Sequence, residues 1–100
     1  MTAEFAFSAD LWEWGGKASW YFVSLPEAIA DKIEERFGRT AGGFGSVRVE
    51  VTVGGTTWKT SLFPSNAERT YVLPVKKAVR NAEGLDDGSP VAVTISVVQE

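Results

Sequence analysis

The sequence contains no cysteine and no histidine. Without cysteine the chain forms no disulfide and offers no thiolate as a nucleophile or metal ligand. Without histidine it lacks the commonest general base, so neither a Ser-His-Asp nor a Cys-His catalytic set exists within it. These two absences favour a binding protein over an enzyme, and we predict no cofactor and no metal site.

Long apolar runs and an early basic segment are also missing. No stretch approaches the roughly 20 apolar residues that a membrane helix needs. The first lysine is Lys17, and Glu4 and Asp10 interrupt the N-terminal apolar residues, which is not the pattern of a signal peptide. We therefore expect a soluble, cytoplasmic protein without membrane contact.

The charge of the chain is small and of mixed sign. Ten Lys and Arg stand against thirteen Asp and Glu, which gives a formal net charge of −3. Because nucleic-acid binders usually carry a basic excess, this balance argues against a nucleic-acid partner. A length of 100 residues, 44% of them hydrophobic, fits a single domain over 1–100 with its own core.

Alternating apolar and polar residues predict most of the chain as β-strands. The clearest pattern is a valine at every second position from Val47 to Val53, followed by Gly54-Gly55 and a second strand over 56–63. A two-residue glycine turn of the primed type predicts a hairpin. In this hairpin Val51 faces Trp58, and Glu50 faces Lys59 on the other side. The remaining strands are predicted near residues 5–12, 19–23, 70–73 and 91–98.

Two segments show helical spacing instead. Leu25, Ile29, Ile33 and Phe37 form one apolar stripe, with a Ser24/Glu27 capping box, Pro26 in the first turn and Gly38 as the stop. Residues 75–82 form a second helix between Pro74 and Gly84. Because the strands and helices do not alternate regularly, the sequence argues against a parallel Rossmann-type sheet. We predict a mainly β fold, a small closed or nearly closed antiparallel β-barrel of about six strands with the two helices capping it.

The segment SLFPSNAERTYVLPVKKAVRNAEGLDDGSPVAVTI carries a family resemblance, together with Phe7, Leu11 and the run WYFVSLP from Trp20 to Pro26. In these motifs and their order the chain resembles the bacterial family called domain of unknown function 1905. The resemblance implies a small β-barrel with capping helices. The resemblance supplies no established activity and no catalytic residues that could be assigned to this chain.

Basic residues form the first candidate site: Arg69, Lys76, Lys77 and Arg80. Lys76 and Arg80 are four residues apart and share a helix face. Such a cluster can hold a phosphate, a carboxylate or a nucleic-acid backbone, since arginine grips these groups with two parallel hydrogen bonds. The alternative is a solvated helix face, which is the usual meaning of a charge run.

Aromatic residues form the second candidate, since four tryptophans in 100 residues is a high number. We expect Trp58 and Trp20 to pack in the core. Trp12 and Trp14 fall on the opposite face of their strand from Phe7 and Leu11, so they are predicted to be exposed. Exposed tryptophan favours a ligand or partner surface, because its large flat area contributes affinity.

Other polar segments have simpler interpretations. Asp10 and Glu13 could do acid–base work only with shifted pKa values, and Asp86-Asp87 is typical of a turn. The glycine-rich loop 42–45 lacks a following Lys-Ser/Thr and is interpreted as a flexible connection. We therefore predict a module that binds a small molecule or a protein partner. The predicted ligand-binding residues are Trp12, Trp14, Arg69, Lys76 and Arg80. Two alternatives stay open, a nucleic-acid-binding small barrel and an enzyme that uses carboxylate or lysine chemistry.

Overall fold

The computed structural model describes residues 4–15, 20–37 and 45–98. Strands form where apolar and polar residues alternate, and helices form over the two segments with helical spacing. The elements in chain order are β1 (Glu4–Trp14), β2 (Trp20–Ser24), α1 (Glu27–Phe37), β3 (Val47–Val53), β4 (Thr56–Ser65), β5 (Thr70–Pro74), α2 (Lys77–Glu83) and β6 (Pro90–Val97). No helix in the described ranges is long and apolar enough to cross a membrane.

The six strands close into an antiparallel barrel in the order β1-β2-β5-β4-β3-β6. Closure depends on strands that change partner along their length. The first part of β1, residues 4–10, pairs with β6, and residues 11–14 pair with β2. Strand β4 likewise pairs first with β3 and then with β5. The predicted barrel is confirmed, and each of the six described strands has a neighbour on both sides.

The β3–β4 hairpin has the register expected from its sequence. Val51 lies opposite Trp58, and Glu50 opposite Lys59. Gly54 has a φ of 58°, whereas Gly55 is not among the residues with positive φ. A positive φ at the first turn position alone is typical of a type II′ turn, one of the two primed turns that suit a right-twisted hairpin.

Aliphatic side chains occupy the interior of the barrel. Val23, Val49, Leu62, Leu73 and Ile95 are wholly buried. They belong to one contiguous cluster to which every strand contributes. No polar or charged residue among those described is buried. Trp58 is only 9% exposed, which confirms its predicted place on the inner face.

The two helices cap opposite ends of the barrel. Strands β2 and β5 are antiparallel neighbours, and α1 follows β2 whereas α2 follows β5, so the helices leave at opposite ends. Helix α1 buries Ala30, Ile33 and Phe37 at one end. Helix α2 buries Val79 at the other and ends, as predicted, at Gly84, whose φ of 64° is left-handed.

The start of α1 differs from the prediction. The helix begins at Glu27, and the carbonyl of Pro26 accepts the amides of Ile29 and Ala30, so Pro26 precedes the first turn. The Ser24 hydroxyl accepts a hydrogen bond from the Trp12 indole and donates one to Glu68, so it does not cap the helix. The predicted stop at Gly38 and most of the 42–45 loop lie outside the described residues.

Candidate binding surface

Trp12 and Trp14 lie on the outer face of β1, as their position in the alternation predicts. Trp14 is 54% exposed. Trp12 is half-buried, and its indole Nε1 donates a hydrogen bond of 2.8 Å to Oγ of Ser24 on the neighbouring strand. This bond fixes the Trp12 ring against the barrel wall and leaves the more exposed Trp14 beside it.

Strand pairing continues this apolar surface across three more strands. Trp12 lies opposite Phe22, and Trp14 opposite Trp20. Phe22 in turn lies opposite Pro74 on β5. Val72 of β5 lies opposite Phe63 of β4. These side chains line a cavity of about 470 Å³, which Pro64 and Ser65 complete and which we call the aromatic groove: Trp12, Trp14, Trp20, Phe22, Phe63, Val72 and Pro74.

The predicted core position of Trp20 is wrong, because Trp20 is 53% exposed. In β2 the inward positions belong to Tyr21 and Val23, and Val23 pairs with the inward Leu11. Trp20 and Phe22 therefore point outward together. Their rings stack at 6.4 Å with an angle of 11°, and Phe22 contacts Trp12 at 5.2 Å.

Phe63 is a groove residue that sequence reasoning missed. It is 45% exposed, although it directly follows the wholly buried Leu62. The signal was present, because continuing the alternation of β4 past Trp58 and Leu62 places Phe63 on the outer face.

A second cavity, of about 630 Å³, adjoins the aromatic groove at the end of the barrel that α2 covers. The two share Trp20, Phe63 and Pro74. Four cationic residues also line it, and we call it the basic cleft: Lys59, Lys76, Lys77 and Arg80. The structure therefore brings the predicted residues Lys76 and Arg80 close to the surface that contains Trp12 and Trp14.

Arg80 is held in a fixed orientation in the basic cleft. Its Cζ lies 4.0 Å from the centre of the Tyr21 ring, a cation–π contact. Its Nη1 donates a hydrogen bond of 2.8 Å to the carbonyl of Val75. Desolvation raises the pKa of Tyr21, and the nearby Glu13 carboxylate raises it further. Tyr21 therefore stays neutral at ordinary pH and provides an uncharged face for the guanidinium.

Arg69 does not join the other predicted cations. It lies in the turn before β5, whereas Lys76 follows β5, and a strand of five residues spans about 16 Å. Arg69 has a φ of 58° and lines a third cavity of about 450 Å³ with Asp31, Glu34 and Tyr71. The predicted basic cluster is thus divided between the two ends of the barrel.

A tyrosine–carboxylate pair marks this third cavity. The Tyr71 hydroxyl donates a 2.6 Å hydrogen bond to Oε2 of Glu34 on α1. Desolvation, together with this bond and the negative charge of Glu34, raises the pKa of Tyr71 to about 12. The pair links α1 to β5, so its evident role is to fasten the helix over the barrel end.

Asp86 and Asp87 belong to a hydrogen-bonded turn. Oδ1 of Asp87 accepts the amide of Glu13, and the amide of Asp86 donates to the Ser89 hydroxyl. With Gly88 at a φ of 87°, these contacts form the predicted turn before β6. Within the described ranges, no group of three or more carboxylates is placed to hold a metal ion.

Comparison with known proteins adds the family but no activity. A search of curated proteins finds no match. A family model described as "Domain of unknown function (DUF1905)" matches residues 7–95. The match runs from β1 to β6 and so takes in every strand of the barrel and both surfaces described above. Because it covers nearly the whole chain, the protein belongs to the DUF1905 family.

Proposed function

We propose that the protein is a binding module whose aromatic groove takes a small organic molecule with a flat, apolar ring system. One observation supports this: seven apolar side chains lie side by side on the outer wall of a barrel that already has a complete core. Trp14, Trp20 and Phe63 are about half exposed. Contiguous exposed apolar surface on a small protein usually marks a contact site.

The dimensions and chemistry of the groove favour a small ligand. Its volume of about 470 Å³ falls within the roughly 300–1,000 Å³ of typical small-molecule sites. Its lining consists of Trp, Phe, Pro, Val and Ser, with no titratable side chain. Such a surface offers stacking and apolar contact, and an offset or tilted aromatic pair contributes about 0.5–1.5 kcal/mol beyond its buried area.

The four tryptophans provide a direct test. Each indole N–H gives its own signal in a ¹H–¹⁵N correlation spectrum, assigned with single Trp→Phe variants. We expect titration with 2-naphthalenemethanol to shift the signals of Trp14 and Trp20. Trp58 is only 9% exposed, on the inner face at the bottom of the second cavity, so its signal should move less than those of Trp14 and Trp20.

Two variants complete this test. Trp20→Ala should weaken naphthalene binding, whereas Lys32→Ala, at an exposed position on α1 that lines neither cavity, should leave it unchanged. The proposal fails if no indole signal moves up to the solubility limit, or if all four move alike. It also fails if light scattering shows a dimer whose Trp14 and Trp20 signals ignore the ligand, because a second copy would then occupy the groove.

A further inference from the structure

The basic cleft continues the aromatic groove, and this junction specifies the charge of the ligand. We propose that the ligand is a planar organic anion. Its ring stacks on Trp20 and Phe63, and its carboxylate, phosphate or sulfate group binds Arg80, Lys76 and Lys77. This inference rests on the proposed function, because it deepens the chemistry of the same surface. Because the groove and the cleft share Trp20, Phe63 and Pro74, an anionic group in the cleft lies next to a ring in the groove.

Arg80 is suited to hold an oxyanion. Its contacts with Tyr21 and the Val75 carbonyl orient the guanidinium, and only one of its five N–H donors is used in that hydrogen bond. A side chain that is already ordered loses little conformational entropy when a ligand binds. Its remaining donors can therefore form charge-assisted hydrogen bonds at low cost.

The cations of the basic cleft are not held in ion pairs, although Glu50 lies opposite Lys59 in the hairpin. Within residues 4–15, 20–37 and 45–98, none of Lys59, Lys76, Lys77 and Arg80 forms an ion pair. No acidic side chain lines either cavity. The carboxylates of Glu13 and Asp87 are close enough to raise the pKa of Tyr21, but neither residue lines either cavity. Four of the ten Lys and Arg of a protein whose formal net charge is −3 therefore line one cleft at the end of an apolar groove.

The distribution of charge favours a small ligand over a nucleic-acid strand. Sites for single-stranded nucleic acid combine stacking side chains with a positively charged groove that follows the backbone. Here the lining of the aromatic groove itself has no Lys or Arg. Arg69 lines the third cavity, which shares Pro64 and Ser65 with the groove, but it lies there with the acidic Asp31 and Glu34. One anionic group next to one ring system matches this arrangement.

Three naphthalene probes that differ only in charge test the inference: 2-naphthoate, 2-naphthalenemethanol and 2-naphthylmethylammonium. Affinities are measured from the Trp20 indole signal. We expect the anion to bind about three- to tenfold more tightly than the neutral alcohol, as for one or two exposed ion pairs, and the cation most weakly. The preference should vanish near 1 M salt, where the screening length is about 3 Å.

Matched variants separate local charge from net charge. Lys76→Gln/Lys77→Gln should remove most of the preference for naphthoate but keep the affinity for the alcohol. Lys32→Gln/Arg36→Gln makes the same change in net charge at two exposed positions on α1 that line neither cavity, and it should keep the preference. Arg80→Gln should also lose the preference. Its melting temperature is checked first, because Arg80 contacts Tyr21 and Val75.

The outcomes distinguish this inference from the proposed function. Equal affinities for naphthoate and the alcohol would overturn the inference and leave the groove as a binding site. No shift with any probe would overturn both. Binding of oligothymidylate with an affinity that rises with strand length would replace the small anion by a nucleic-acid strand and so also overturn the inference.

Discussion

Gly54→Ala should be among the most destabilising substitutions outside the core, although it adds a single methyl group to a surface turn. The backbone of Gly54 has a φ of 58°, which a residue with a side chain adopts at a cost of about 1–3 kcal/mol. A Cβ at this position would also overlap a carboxylate oxygen of Glu83 on α2. Glu83 would then have to move away from the turn.

Moving Glu83 has its own cost. Its Oε2 accepts a 2.7 Å hydrogen bond from the Thr56 hydroxyl, which joins α2 to the β3–β4 hairpin. Losing one such bond costs about 1 kcal/mol. The two contributions together predict that Gly54→Ala lowers the free energy of unfolding by about 2–4 kcal/mol.

The neighbouring glycine is the matched control. A Cβ on Gly55 would meet nothing within 4 Å, and its φ is not positive. Gly55→Ala therefore mainly restricts the unfolded chain and should change the stability by about 0 to +1 kcal/mol. Urea unfolding followed by tryptophan fluorescence measures both variants. In a Glu83→Ala background the cost of Gly54→Ala should fall by about 1 kcal/mol, since the overlap and the hydrogen bond are already gone.

Equal unfolding free energies for Gly54→Ala and Gly55→Ala would refute this reasoning about the turn. An unchanged cost in the Glu83→Ala background would instead refute the part assigned to the link between α2 and the hairpin. In that case backbone conformation alone would account for the loss.

Three further predictions concern the core, the groove and the pH dependence of stability. Ile95→Ala should lower the free energy of unfolding by about 2–5 kcal/mol, because Ile95 is wholly buried. A smaller loss, measured by urea titration, would contradict a tightly packed interior. Trp14→Ala should lower the free energy of unfolding by less than about 1 kcal/mol in the same assay, because more than half of the Trp14 side chain already contacts solvent. A loss as large as that of Ile95→Ala would mean that Trp14 stabilises the fold. The pKa of Tyr71 is about 12 in the folded protein, against 10.0 for an unperturbed tyrosine. The neutral Tyr71 therefore contributes fully to the free energy of unfolding below pH 10, and this contribution is lost as the pH rises through 12. Unfolding measured from pH 8 to 12 should show a steeper loss for the wild type than for Tyr71→Phe, and parallel curves would show that Tyr71 titrates normally.

Regular alternation in the sequence predicted the strands and the closed barrel. The β3–β4 hairpin could be placed residue by residue because valines alternate with polar residues and a glycine pair fixes the turn. The same alternation placed Trp12 and Trp14 outside. In β2 the rule failed, since nearly every residue of WYFVS is aromatic or aliphatic and no polar face distinguishes outside from inside. Trp20 was therefore assigned to the core.

The candidate site could be predicted only in parts. Lys76, Lys77 and Arg80 were found because they are close in sequence, and Arg69 was grouped with them for the same reason. The extended strand β5 separates Arg69 from the other three, and this distance cannot be derived from the positions of charged residues in the sequence alone. Phe63 was overlooked because the other aromatic residue of its strand, Trp58, lies on the inner face. Its neighbours come from the pairing of β4 with β5 and from the groove that β1 and β2 complete.

By itself the sequence determined the number of strands, the helical segments, the valine hairpin and the family, because these depend on local spacing and residue order. Only the tertiary structure decided that side chains from four strands form one aromatic groove with a basic cleft at its end. The physical reason is that alternation assigns a residue to one of two faces of its strand. Which strands are neighbours, and which face is solvated, is fixed by pairing between distant segments and by closure of the barrel.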